Sequence, residues 1–584
     1  MTERKKIWIW SFNIAALSLF GFLLIWSRTD TKTMRSLFAN VSYYLTLLIA
    51  VLWIIQLTAL LRELGFSIRV FFRNYWPGIV LALGLTIFVF CSVKVGFKTL
   101  SDETNLVSVS GSMTRNKTVL NCTMAKYYYG NLQPINQEIE KRPLVFPFLV
   151  SIIHTFTGFR YQNAFALNFI VMFLFLAGVY AAARKLLDAW SAVAAVFFVL
   201  SYPVFTIFAT SAGFDVLNSV FFILILATVF HFVKSPSSPG FGFLLSSLIV
   251  FANIRYESVV FLLLIPLLLA FKIKWQYLKD SFHLFCAIPL ACLPYLWVRL
   301  LKPGAYYESV KDVKLFSFKA LATNLSSFFS NLLDFSYTLP YAGLVTLAGI
   351  LIFLYLLILT LRKKAFVENR QRYFLVVLFI SAGLSTLMYF AHFFGRYTHP
   401  SSARFFITLS LLFAFSPVIL RIASPRLVSG PVLFLLAVVS FVYYHPIAVE
   451  GRLINSLTLN RHTGQYINFL KKLDDKNILI ISSRPGQNVA LGYGAVDFAY
   501  ANKNKAALLK ELDRHLYSKI VVFQEITHDT GKPSIDTTLD PAYRLLPVYE
   551  IQTTASAFLR ISECTASITG VVDRETEPPV GPAK

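Results

Sequence analysis

Long apolar windows separated by short basic connectors run through most of this chain. Uncharged stretches occur at Ile7–Ser27, Val41–Leu61, Pro77–Val93, Gln162–Ala183, Ala189–Phe214, Leu339–Leu361, Tyr373–Gly395, Phe405–Leu420 and Pro431–Ala448. Most approach the ~20 residues that a helix needs to cross a hydrocarbon core. The pattern therefore predicts an α-helical polytopic membrane protein. The first window follows Arg4-Lys5-Lys6 and has no small-residue cleavage site behind it, so it reads as a retained signal anchor. Two segments do not fit a simple span. Leu144–Thr157 is short and proline-flanked, and predicts a helix lying at the outer surface. Phe241–Phe271 is apolar except for Arg255 and Glu257, and predicts two short helices with an outward turn at Arg255-Tyr256-Glu257. With the amino terminus inside, about thirteen crossings result, and the chain after Ala448 lies outside.

From about Glu450 the pattern changes. Asn477–Ser482 and Lys519–Phe523 read as buried strands, and Tyr466–Leu473 and Lys505–Leu516 as amphipathic helices. They predict a small extracytoplasmic α/β domain with a parallel strand pair. The expected organisation is then amino-terminal transmembrane helices over 1–93, a large outward loop over 94–161, the remaining membrane core over 162–449, the α/β domain over 450–572 and a disordered polar tail over 573–584. A second outward loop is expected over 300–338.

Composition sharpens this picture. Hydrophobic residues make up 56% of the chain and charged residues 14%, against roughly 25% charged in soluble domains, which excludes a soluble protein. The net charge of +24 does not point to nucleic acid. Its basic residues gather in the connectors, as at Arg184-Lys185 and Arg362-Lys363-Lys364, where they face anionic membrane lipids. Of five cysteines, only Cys122 and Cys564 fall in polar regions, as free thiols or as a pair. No cofactor is expected, and metal dependence stays open.

The chemistry is expected in the first outward loop. Ser101-Asp102-Glu103 opens it and Lys141-Arg142-Pro143 closes it, and acids at a membrane surface are costly to place there. Neighbouring helical residues point about 100° apart, so one of Asp102 and Glu103 is the better candidate base. The plainer alternative is that Asp102 and Ser101 cap a helix starting at Glu103. Further candidates are Lys141 and Arg142 as phosphate ligands or solvated cations, and Asp215, which begins an outward helix where the dipole alone would favour an acid. Arg255 has Glu257 as a neutralising neighbour. Arg404, with Tyr397 ahead of it, stands at the start of an outward helix, where simple snorkelling would also suit it. His154, His231 and His392 lie singly in apolar segments and read as structural; His399 is a weaker site candidate.

The order of these motifs resembles the membrane glycosyltransferases of the GT-C superfamily that use polyprenyl-phosphate sugars, the family of protein O-mannosyltransferases and aminoarabinose transferases. In that family an Asp-Glu pair opens the first outward loop and a Lys-Pro-Pro-Leu-like segment closes it before a short helix ending in Gly. Here the closing segment is Lys141-Arg142-Pro143-Leu144, with Arg142 in place of a proline, and Gly158 ends the helix. The resemblance runs from about Leu100 to Leu269 and loosely to Gly395–Phe406. It implies a GT-C-like fold, Asp102 as catalytic base, a polyprenyl-phosphate-linked sugar as donor and an extracytoplasmic acceptor. It also implies inverting displacement at the outer face of a bacterial inner membrane. The rival readings are a transporter of lipid-linked saccharide, which would call for inverted repeats and charges near mid-membrane, and a non-catalytic membrane scaffold.

Overall fold

The computed structural model describes residues 18, 21, 30–128, 130–140, 142–270, 275–294, 316–332, 342–362, 369–399, 402–451, 458–473, 475–553 and 557–564. The expected anchor, much of the second outward loop, Lys141 and the tail lie outside these residues.

In chain order the helices are α1 (Thr31–Glu63), α2 (Ile68–Ser92), α3 (Leu100–Asn116), α4 (Val145–Thr157), α5 (Gln162–Leu186), α6 (Ala189–Leu200), α7 (Pro203–Ala209), α8 (Asp215–Lys234) and α9 (Ser238–Ala252). After them come α10 (Gly343–Leu361), α11 (Asn369–Ala391), α12 (Ile407–Ala423) and α13 (Gly430–Glu450). Among the described residues, eight helices are long and apolar enough to cross a membrane, and up to nine if α6 and α7, which meet at 75°, form one broken span. The chain is an integral membrane protein.

The window read as starting at Pro77 extends further back. α2 begins at Ile68 and carries Pro77 in its interior, so Arg69 and Arg73 belong to the helix. Proline is favoured at a first helical turn and costly inside one, which is why the pattern put the start too late. The next residue, Gly78, lets α5 approach: a Cβ there would fall 1.8 Å from the Tyr180 ring.

The expected break at Arg255 is present. α9 ends at Ala252, and a 3-10 helix over Tyr256–Leu263 follows with Arg255 as its extended N-cap. The short helix α4 is closed by Gly158 at φ 77°, a left-handed-side conformation that suits glycine. His154 on α4 packs inward, paired with Ser110 at 2.9 Å and Asn163 at 2.7 Å. Burial pulls its imidazole down to about 4, so it stays neutral and structural.

Strands β1 (Leu120–Tyr128), β2 (Asn131–Ile139), β3 (Ile478–Ser482), β4 (Gly494–Val496), β5 (Lys519–Thr527), β6 (Leu545–Gln552) and β7 (Ala557–Cys564) form one seven-stranded sheet in the order β2-β1-β4-β3-β5-β7-β6. β3 and β5 pair in parallel, as their apolar runs suggested. The β1–β2 hairpin comes from the first polar loop and joins the terminal strands through Ala125 opposite Ala495. The loop and the terminal domain, expected as separate units, thus share one sheet. That sheet is locked to the helix bearing Asp102, because Ser108 on α3 accepts from the Cys122 amide at 2.9 Å and donates back to its carbonyl. Among the described residues, no disulfide forms between the cysteines.

Candidate active site

α3 sets the two acids of its first turn to different tasks. Glu103 is buried and turned toward the backbone. Its carboxylate accepts from the Lys98 and Thr99 amides, the Thr99 hydroxyl and, across the fold, the Ala212 amide at 3.0 Å. Burial pushes its carboxyl upward, while these donors stabilise the ionised form and oppose that push. Glu103 therefore closes the helix start as a capping acid does. It also ties α3 to the turn that leads into α8. Asn168 of α5 holds the same turn by donating to the carbonyls of Ser211 and Gly213 at 2.8 and 2.9 Å.

Replacing Glu103 by Gln would present an amide N–H to a cluster of N–H donors. Such a buried mismatch costs about 1–3 kcal/mol. Thermal unfolding of the purified Glu103→Gln protein should show a clearly lowered midpoint; an unchanged midpoint would show that the clasp carries no stability.

Asp102 faces the other way, with its side chain 22% exposed. One carboxylate oxygen accepts from Arg142 and the other from Arg404 at 2.6 Å. From there a continuous series of opposite charges extends in both directions. Arg142 also binds Glu140, which Asn105 steadies at 2.8 Å. Arg404 additionally donates to the Thr99 hydroxyl at 3.2 Å and lies 3.9 Å from Asp215. Asp215, at the first position of α8 and only 2% exposed, accepts from Arg255 at 3.0 Å, and Arg255 reaches Glu257 at 3.3 Å. The series reads Glu140, Arg142, Asp102, Arg404, Asp215, Arg255, Glu257. It draws on five separate stretches of chain, and most of its members are largely buried.

Partly buried ion pairs of this kind are strongly interdependent, because removing one partner leaves an uncompensated charge. Two local features keep the arginines in place. Arg255 stacks over the Phe405 ring, 4.3 Å from its centroid, so its flat face is packed while its edges reach the acids. Arg404 sits in a 3-10 turn, Ala403–Phe406, that leads into α12. Its Nε is buried and has no acceptor among the described residues.

Beside Arg255 and Glu257 lies a small cavity of about 70 Å³, whose wall includes the apolar Phe251, Phe261, Met388 and Phe405 and the polar Asn218, Ser258 and His392. It combines a cation and an acid with a wall of mixed apolar and polar side chains.

Of the residues singled out from sequence, Asp102, Arg142, Asp215, Arg255, Glu257 and Arg404 come together in this series, and Glu103 lies directly behind it. Lys141 lies outside the described residues. Tyr397 is packed among rings, with Phe328 and Phe406 centroids at 5.0 and 5.4 Å, and so supports the turn that carries Arg404. The sequence reading did not assign Glu140, Thr99, Asn105 or Asn168. Glu140 carried a usable signal, since it stands two residues before Arg142 in the segment that closes the loop. Among the described residues no three His, Cys, Asp or Glu side chains group as metal ligands.

Residues 141–297 match a family described as dolichyl-phosphate-mannose-protein mannosyltransferase. This segment contains Arg142, Asp215, Arg255 and Glu257, and the chain resembles GT-C glycosyltransferases there. No curated protein matches the chain. Among solved structures, ArnT from Cupriavidus metallidurans bound to undecaprenyl phosphate aligns at 12% identity with a TM-score of 0.49, over 83% of this chain and 97% of that one. Its apo state aligns at 13% identity with a TM-score of 0.46, over the same shares. The Archaeoglobus fulgidus oligosaccharyltransferase in complex with Zn and sulfate aligns at 13% identity with a TM-score of 0.45, over 82% of this chain and 72% of that one.

Proposed function

We propose that this protein transfers one sugar from a polyprenyl-phosphate carrier to an acceptor outside the cytoplasm, with Asp102 as the catalytic base. The observation that carries this reading is the placement of Asp102, a part-exposed carboxylate held between Arg142 and Arg404 in a charge series whose far end, Arg255 and Glu257, borders a small cavity. The acceptor hydroxyl attacks the anomeric carbon on the face opposite the phosphate. Its proton passes to the Asp102 carboxylate as the new carbon–oxygen bond forms. The bond from the anomeric carbon to the phosphate oxygen breaks, and the electron pair leaves with the polyprenyl phosphate, so the anomeric configuration inverts.

The leaving phosphate needs fixed positive charge. Arg404 and Arg255 supply it, and the unmatched Nε–H of Arg404 offers a donor that a phosphate oxygen would fill. Arg142 keeps Asp102 in place from the other side. A donor whose tail is a polyprenyl chain stays in the bilayer, which accounts for a site built at the ends of apolar helices. The setting is a bacterial inner membrane with the site on its periplasmic side, among membrane lipids.

The test is transfer by the purified protein in nanodiscs supplied with a polyprenyl-phosphate sugar of known anomeric configuration and an envelope glycan fraction. The expected product carries the sugar in the inverted configuration by NMR. Movement of the intact carrier lipid between leaflets without cleavage would replace the reading with that of a transporter.

Sidedness gives an independent check. Gln133 in β2 and Lys532 are both exposed, and cysteines placed there, with Cys91 and Cys286 replaced by Ser, should react from outside the cell with an impermeant maleimide. Protection of both sites would contradict the orientation derived from the basic connectors.

A further inference from the structure

A second cavity, of about 480 Å³, opens where the terminal sheet domain meets the start of α5. It is far larger than the space beside Arg255, and it falls within the size range of small-molecule sites. Its wall combines Tyr127, Tyr161 and Tyr493 with Arg160, Lys471 and Lys476, and no lining residue is acidic. Three cations share this cavity wall with no acidic side chain among its lining residues, which leaves the wall positive.

The aromatic wall is pre-formed. The Tyr493 hydroxyl donates to the Leu470 carbonyl at 3.0 Å and the Tyr127 hydroxyl to the Gly492 carbonyl at 2.9 Å. Lys476 donates to the Leu491 carbonyl at 3.4 Å and holds its ammonium 3.7 Å from the Tyr493 ring centroid. Partial burial pulls that ammonium below its ordinary value. An arriving anion would relieve that penalty.

The cavity also borders the catalytic helix. Phe159 in its wall packs on Gly111 of α3, where a Cβ would fall 2.6 Å from the ring. Tyr161 lies against Phe97, just ahead of α3, at 6.0 Å between centroids. Gly111 stands roughly 13 Å from Asp102 along the helix at 1.5 Å per residue, within reach of a short saccharide.

We infer that this cavity holds an anionic part of the acceptor: a sugar carrying phosphate or carboxylate, with the ring against the tyrosines and the charge against Arg160, Lys471 and Lys476. The inference rests on the transfer reading above and adds the acceptor's chemical class. Aromatic faces suit the C–H faces of a pyranose, and the lysines and arginine make charge-assisted hydrogen bonds to its acid group. The donor's phosphate has a separate seat at Arg404 and Arg255.

The test uses the full-length protein in nanodiscs and reads binding of glucose 6-phosphate, glucuronate, glucose and inorganic phosphate by calorimetry, without turnover. Both anionic sugars should bind about tenfold or more tightly than glucose or inorganic phosphate, as expected for charged hydrogen bonds added to ring contact. The Lys471→Gln/Lys476→Gln double variant should lose that preference, while Asp102→Asn should keep it. Polyprenyl phosphate added to the discs should not displace the sugars.

Equal binding of glucose, or full binding by the double variant, would overturn the inference. Inorganic phosphate binding as tightly as glucose 6-phosphate would remove the saccharide, and displacement by polyprenyl phosphate would reassign the cavity to the carrier. A protein that transfers sugar but shows no anionic preference refutes only the cavity assignment. One that shows the preference but never cleaves a carrier refutes only the transfer reading.

Discussion

Asp102→Asn is expected to lower the turnover number by two to four orders of magnitude, the usual share of a positioned general base, while donor binding survives. The amide keeps the size of the side chain but cannot take the proton of the attacking hydroxyl. It also removes a charge from between Arg142 and Arg404, so some loss of thermal stability should accompany the loss of rate. The measurement that separates these effects is turnover at saturating donor, beside donor binding by the same preparation. Low turnover with donor binding intact identifies the base. Near-normal turnover would remove Asp102 from the mechanism, and loss of both would make it a structural member of the charge series.

The second large effect is expected at Arg404. Its guanidinium meets Asp102, Thr99 and Asp215 from two nitrogens and holds Nε ready for a further acceptor. A lysine keeps the charge on one atom and cannot reproduce that fork. Arg404→Lys is therefore expected to lower kcat/KM for the donor by about 10- to 100-fold, equivalent to roughly 1.4–2.8 kcal/mol, with membrane insertion unchanged. A residue that merely snorkels would tolerate lysine, because both long side chains carry a cation to the interface. Superimposable donor-dependence curves for the two proteins would move the phosphate role to Arg255.

The parts of this architecture that were legible in the sequence are those set by local physics. The length of an apolar window and the cost of a charge inside one are properties of a short segment. Thr31–Glu63, Gln162–Leu186 and Gly430–Glu450, and the interruption at Arg255, could thus be read directly. The parallel pairing of Ile478–Ser482 with Lys519–Thr527 followed from two buried β-branched runs. Pairings made only in three dimensions were not legible.

Nothing in Leu120–Ile139 announces that its hairpin will join a terminal sheet hundreds of residues away. Leu545–Gln552 is an edge strand with mostly exposed positions and an internal Pro547, so it shows no alternation to recognise. In the site, the acid and arginine positions were readable as isolated oddities in apolar surroundings. Which acid meets which arginine was not. The division between Asp102 and Glu103 shows why: adjacent on one helical turn, one meets arginines and the other the Ala212 amide, partners that come from distant parts of the chain.

The central claim is that a polyprenyl-phosphate sugar is cleaved at the Asp102 centre. Its most direct test is mass spectrometry of the carrier lipid after incubating the purified wild-type protein, in nanodiscs, with a mixed pool of polyprenyl-phosphate sugars and an envelope glycan fraction. Free polyprenyl phosphate should accumulate with wild-type protein and fall to background with Asp102→Asn. A carrier pool that stays fully glycosylated with both proteins, or is consumed equally by both, would contradict the account.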